Sequence, residues 1–370
     1  MSADPIELTQ KLVAMNTVNP PGNERACLEL LADILRRAGA DVVLHPMGQE
    51  RGNLVARIEG GANAKPLCFT GHVDTVPIGL ASWSFDPFCG TVSNGKLLGR
   101  GSSDMKAGVA AFVSAACDYA AGKDRKQPVE LIITSGEETG CEGAIALAQH
   151  QTLSQVRALV VAEPTSNALA NGHKGVLWLK ALFAGKTAHG SMPHLGDNAA
   201  YKAADALQVL RDFQFDATPH RLGSPTLNAG YVHAGININS VPDLAEIGID
   251  IRTTPAVAHS DIRKKLIEAL GEAKLEDILD LAAVWTEEND TWLTQAKRIA
   301  EDISGHASKE PFLVSYFTDA SALSAAIGHP PIIVLGPGEA AMAHRTDEYC
   351  DVARISEAKK IYSELMQAAG

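Results

Sequence analysis

Hydrophobic and polar positions follow two rhythms along this chain. Up to residue 164, segments of helical period alternate with short apolar runs. Asp4 followed by Pro5 predicts a helix start, with the helix running to about residue 16, and a second helix is predicted over 22–38. Strands are predicted at NLVARIEG (53–60), LCFTGHVD (67–74), VELIITS (129–135) and ALVVAEP (158–164). A helix starting near Lys106 runs through GVAAFVSAACDYA between the second and third of these. The last two runs are apolar throughout rather than alternating, as expected when helices cover both faces of a sheet. The layout predicts a layered α/β domain.

From Gly175 the rhythm changes. VLWLKALFAG reads as a strand, NAAYKAADALQVLRDF as a helix, and TLNAGYVHAG and LAEIGIDIR as two strands. SDIRKKLIEALGEA reads as a helix and LEDILDLAAVWT as a closing strand. That order, βαββαβ, is the ferredoxin-like unit. The α/β style then resumes, with helices near 292–305 and 320–327, a strand PIIVLG at 331–336 and a last helix from about 352. The expected fold class is therefore α/β. A discontinuous domain of residues 1–174 and 286–370 carries an inserted ferredoxin-like domain of residues 175–285.

Composition narrows the possibilities. The 370 residues suit two domains, and 46% hydrophobic with 21% charged residues is a globular balance. A formal net charge of −12 argues against a nucleic-acid partner or an anionic membrane surface. No run approaches the roughly 18 apolar residues that a membrane span needs. The N-terminal residues lack the basic and apolar regions of a signal peptide. Six cysteines without CxxC spacing read as reduced core residues, so the expected location is the cytoplasm.

Five polar clusters sit where strands of the larger domain should end, the place where open α/β sheets gather ligands. GHVDTVP places His72 and Asp74 two residues apart, on one side of an extended chain. GRGSSDMKAG brings Asp104 to a glycine-rich turn before a helix, without the spacing of a phosphate loop. SGEETG sets Glu137 beside Glu138, VVAEPTS ends on Glu163, and GPGEAAMAHRTDEY carries His344. Each has a plain reading alone: a strand-end pair, an N-cap, a solvated acidic loop, a loop histidine. Together they supply histidine nitrogens and carboxylate oxygens with no thiolate, a set that suits Zn²⁺, Co²⁺ or Mn²⁺. A pair of ions sharing one carboxylate would also relieve the repulsion between neighbouring glutamates.

With these motifs the chain resembles the M20 metallopeptidases: acetylornithine deacetylase, succinyl-diaminopimelate desuccinylase, aminoacylase and glutamate carboxypeptidase relatives. GKTAHGSMPHLGDNAA and the DIR of residues 250–252 add to the resemblance, which spans nearly the whole chain. It implies a zinc-bearing α/β domain with an inserted lid or dimerisation domain, and two divalent ions, zinc first, with cobalt or manganese as alternatives. It implies that His72 and Glu163 hold one ion, Glu138 and His344 the other, and that Asp104 bridges them. Asp74 would orient His72, and Glu137 would be the general base. The peptide bond after Asp104 is expected to be cis. His189 resembles a histidine that crosses a dimer interface to stabilise an oxyanion, and Asn239 and Arg252 resemble residues that grip the substrate. The implied reaction is hydrolysis of the amide bond of an N-acyl amino acid by a homodimer, with dipeptide or carboxypeptidase cleavage as the alternative. A two-metal phosphoesterase would need basic clusters for phosphate, which the motif regions lack.

Overall fold

The computed structural model describes residues 3–61, 64–150, 152–305 and 312–368. Backbone contacts divide the chain into two compact units. One comprises Met1–Gly172, Trp285–Val314 and Thr318–Gly370; the other comprises His173–Val284 and Ser315–Phe317.

The first unit is built on a mixed sheet, nine-stranded among the described residues. Its order is Asp41–Pro46, Gly52–Ile58, Val129–Thr134, Leu67–His72, Ala158–Val161, Ile332–Val334, Ala170–His173 and Val284–Trp285, with Phe312–Val314 beside Ala170–His173. Leu67–His72 runs parallel to both its neighbours, and Ile332–Val334 runs parallel to Ala158–Val161. Every residue of the strands Leu67–His72, Val129–Thr134 and Ala158–Val161 is buried, so both faces are covered and the uniformly apolar runs are explained. Helix Ala107–Ala121 is buried almost throughout and packs among the helices Pro5–Val13, Arg25–Ala38 and Val352–Gln367. Against the sheet, the Phe69 ring meets Tyr362 edge-on at 5.4 Å, and the Tyr362 hydroxyl donates to the Leu335 carbonyl at 2.6 Å. Asp4 caps the first helix by accepting from the N–H groups of Ile6 and Glu7.

The second unit has an antiparallel sheet in the order Thr226–Ala234, Leu244–Thr253, Gly175–Ala184, Lys274–Leu281, with helices Ala199–Arg211 and His259–Leu270. In chain order the strands lie 2-3-1-4, the ferredoxin-like arrangement. Its own core joins Leu177, Leu179, Phe183, Ile247, Ile249, Ile251 and Leu266.

Boundaries depart from expectation in places that have physical causes. The closing strand predicted over 275–286 is two strands: Lys274–Leu281 pairs with Gly175–Ala184, and Val284–Trp285 belongs to the large sheet. The apolar pattern runs across the break because both pieces enter a core. The helix predicted near 320–327 is only Ala320–Leu323. Edge strand Asp41–Pro46 and helix Glu142–Gln149 are additional, and the short Val92–Ser93, Lys96–Leu98 and Tyr349–Asp351 form a small third sheet. Ser315–Phe317 packs with the second unit because the Phe317 ring meets Trp178 at 5.9 Å and the Arg252 guanidinium at 5.4 Å. All six cysteines are free thiols. Among the described residues no helix is long and apolar enough to cross a membrane.

Candidate metal centre

Four loops following parallel strands of the first unit, and the turn before helix Ala107–Ala121, bring their acids and histidines together. His72 ends the strand Leu67–His72, and Glu137 and Glu138 follow Val129–Thr134. Glu163 lies two residues past Ala158–Val161, and His344 follows Ile332–Val334 in the left-handed region at φ +62°. The Asp104–Met105 peptide is cis. In SGEETG the chain turns at Gly136 with φ +75°, where a side chain would collide with the Arg51 guanidinium.

Two groups of side chains result. In the first, His72 Nε2 lies 3.3 Å from Asp104 Oδ1 and 3.6 Å from Glu163 Oε1. In the second, His344 Nε2 lies 3.1 Å from Glu138 Oε2 and 3.6 Å from Asp104 Oδ2. Within each group one ligand atom from every member lies within 4.8 Å of the others, and Asp104 belongs to both through different oxygens. Glu137 Oε2 stands 4.0 Å from His72 Nε2. The adjacent glutamates therefore face different histidines.

His72 Nδ1 lies 3.0 Å from the Asp74 carbonyl and 3.4 Å from the Asp74 carboxylate, so Asp74 holds the ring at both points. The nearer contact is the carbonyl. The Asp74 carboxylate in turn accepts the N–H groups of Glu137 and Glu138, both at 3.2 Å, and the Asn19 amide at 3.1 Å. Asp74 thus ties the His72 strand to the SGEETG loop.

The electrostatics are those of too many acids in too little water. Burial pushes the Glu137 carboxyl well above its ordinary range; Glu163, Glu138 and Asp319 push it further, and His72 opposes them. Burial and the charge of Asp104 raise Glu163 and Glu138 as well. Asp104 moves the other way: burial opposes ionisation, but the close His72 ring and the charges of both histidines hold it low. His72 is likewise raised against the effect of burial by the nearby Asp104 and Asp74 carboxylates. Two buried atoms inside the cluster, His72 Nε2 and Glu138 Oε1, have no hydrogen-bond partner. One such atom in each group, a ring nitrogen and a carboxylate oxygen, is the donor chemistry that a divalent cation takes.

Side chains absent from the motif reading complete the surroundings. Asp319 is buried, accepts the Thr134 hydroxyl, and is pushed up to about 6, chiefly by burial. Glu348 is fully buried and accepts from Arg100 and from the Asp104 turn. Both were visible only as acids in FTDASAL and AHRTDEY, since nothing in a sequence distinguishes a buried acid from a solvated one.

His189, Asn239 and Arg252 belong to the second unit. His189 Nδ1 accepts the Ser191 N–H at 3.1 Å and lies 2.7 Å from the Ser191 hydroxyl, an arrangement that suits the tautomer with N–H at Nε2. Gly190 donates to the Asn239 carbonyl at 2.7 Å, so the His189 and Asn239 loops are joined. Arg252 binds Asp250 through two nitrogens, Nε to Oδ1 at 2.9 Å and Nη2 to Oδ2 at 3.2 Å.

Comparison with known proteins agrees with this architecture. The profile described as Peptidase family M20/M25/M40 matches residues 68–368. A probable succinyl-diaminopimelate desuccinylase of Staphylococcus epidermidis is 31% identical, covering 99% of this chain and 97% of the relative. An acetylornithine deacetylase of Proteus mirabilis is 29% identical, with coverages of 98% and 96%. The solved structure of an M20 family metallo-carboxypeptidase from Sulfolobus solfataricus superposes with a TM-score of 0.81 at 17% identity, covering 99% of both chains, and so shares the fold. The match over most of the chain and the likeness to the desuccinylase settle its place: this chain is a hydrolase belonging to Peptidase family M20/M25/M40.

Proposed function

We propose that the enzyme hydrolyses the amide bond of an N-acyl amino acid, of the acetyl or succinyl type, with two divalent ions at the cluster. The observation that carries this reading is the pair of three-residue groups sharing Asp104, with Glu137 beside them. His72, Asp104 and Glu163 would hold one ion, and Asp104, Glu138 and His344 the other. The donor set favours zinc, with cobalt or manganese as alternatives. Bound ions would polarise the scissile carbonyl and acidify the attacking water from about 15.7 toward about 7.

The chain's own residues supply the rest. Glu137, whose Oε2 stands 4.0 Å from His72 Nε2, is placed to accept a proton. It takes the proton of the attacking water on a carboxylate oxygen and returns it to the departing amine. Asp74 holds His72 Nδ1, which keeps Nε2 as a lone-pair donor. His189 would stabilise the oxyanion through Nε2–H, the tautomer that its bond from Ser191 favours. Arg252 would grip the substrate carboxylate, exchanging its present partner Asp250 for it, and Asn239 would bind beside His189. A homodimer through the second unit is part of the proposal. Ile236, Ile238 and Leu244 are exposed beside the edge strand Thr226–Ala234, an unpaired strand edge with apolar neighbours.

The substrate reading is tested by incubating metal-loaded protein with N-acetyl, N-succinyl and dipeptide substrates and following products by mass spectrometry. Release of acetate or succinate with the free amino acid is expected; cleavage of the dipeptide alone would replace this reading with the peptidase alternative. Glu137→Gln should retain both metal equivalents while kcat falls about 10²–10⁴-fold, whereas Glu138→Ala should lose one equivalent by elemental analysis. Identical behaviour of the two variants would remove the division of labour between the glutamates. His189→Ala should lower kcat about 10²–10³-fold, and a variant with near-wild-type kcat would dismiss it as an oxyanion donor. Light scattering after size exclusion should read a dimer that Ile236→Lys/Ile238→Lys weakens; a wild-type monomer would contradict the assembly.

A further inference from the structure

Glu348 is fully buried, yet its carboxylate collects four donors. The Arg100 guanidinium approaches at 2.6 Å, and the backbone N–H groups of Gly101, Ser103 and Asp104 at 3.1, 2.8 and 3.0 Å. The three N–H groups all belong to the turn that delivers Asp104. Gly101, at φ +82°, lets that turn aim them inward, and the carboxylate fills the concavity. Ser103 closes the contact from its other side, its hydroxyl donating to the Tyr349 carbonyl at 2.6 Å.

Glu348 also lies four residues after His344, in the same loop. One side chain therefore spans the segment bearing the shared aspartate and the segment bearing the second histidine. Arg100 extends the tie: it donates to the Arg345 carbonyl at 3.2 Å and to the Pro77 carbonyl at 3.3 Å, in the loop that follows His72 and Asp74. Neither Glu348 nor Arg100 belongs to the two ligand groups. Their hydrogen bonds to the Asp104 turn and to the His344 loop go to backbone groups, apart from the bond between the two themselves.

We infer that Glu348, paired with Arg100, is the positioning residue that fixes Asp104 relative to His344 and so sets the affinity and geometry of the two-cation site. This rests on the two-ion reading above. Replacing the carboxylate by an amide turns an –NH₂ toward donors and leaves the turn with one acceptor oxygen. The Asp104 backbone is then free to shift by a fraction of an ångström, enough to misplace a carboxylate shared between two ions.

The test uses chelator-stripped wild type, Glu348→Gln, and the double variant Arg100→Met/Glu348→Gln. Each is titrated with Co²⁺ by calorimetry and visible absorption, and the thermal unfolding of each metal-free form is recorded. Wild type should take two equivalents. Glu348→Gln should lose about 10–100-fold in affinity for at least one of them and change the Co²⁺ absorption bands. The double variant removes the buried unpaired guanidinium, so its metal-free unfolding temperature should recover, while its Co²⁺ affinity stays weak. Wild-type affinity and spectrum in Glu348→Gln would overturn the inference alone. So would a double variant that regains affinity together with stability, because the pair would then matter only for folding. A wild type that binds fewer than two ions would overturn the two-ion reading, and this inference with it.

Discussion

Six carboxylates, those of Asp74, Asp104, Glu137, Glu138, Glu163 and Asp319, gather around His72 and His344 among the described residues. Like charges at such distances in a dry pocket cannot all stay ionised unless a cation answers them. The surrounding architecture is arranged around that constraint. Asp74 meets the His72 ring, Asn19 and the SGEETG backbone with its two oxygens, and these hold it low against burial. Asp104 is held low by both histidines, while Glu137, Glu138 and Glu163 are driven up. A bound divalent cation would favour the ionised form of all four.

The two adjacent glutamates make the same point locally. Side chains of neighbouring residues diverge past a strand end. Glu137 reaches toward His72 and Glu138 toward His344, so one short loop addresses both halves of the cluster. Gly136 permits this by allowing the backbone to turn against Arg51 without a side chain in the way. Arg51 is itself fastened at 2.7 Å to Glu142, the first residue of the helix that follows the loop.

Much of this was legible in the sequence, for identifiable reasons. Apolar runs marked the buried parallel strands, and the βαββαβ order read from Gly175 onward matches the strands and helices of the second sheet. His72, Glu137, Glu138 and Glu163 could be picked out because a polar residue at or straight after the end of a buried strand has few places to go, whereas Asp104 and His344 came from their own motifs. What escaped was whatever depends on partners distant in sequence. Strand Asp41–Pro46 exists by pairing with Gly52–Ile58, and Val284–Trp285 by joining the large sheet; neither has a strong pattern of its own. Glu348 and Asp319 escaped because burial, not residue type, gives them their role. Asp250, within the DIR triplet, is another such case: only the folded sheet reveals that it occupies the guanidinium of Arg252.

On the proposed reading the acidic cluster is complete only with divalent cations. Thermal unfolding of the chelator-stripped protein at neutral pH, with and without added Zn²⁺, tests it most directly. Binding to the folded form alone adds about 2.7 kcal/mol at a free ion concentration one hundred times Kd. The account predicts a saturable rise in the unfolding temperature of the wild type as Zn²⁺ is added, reversed by chelator. An unfolding temperature indifferent to both Zn²⁺ and chelator would contradict it.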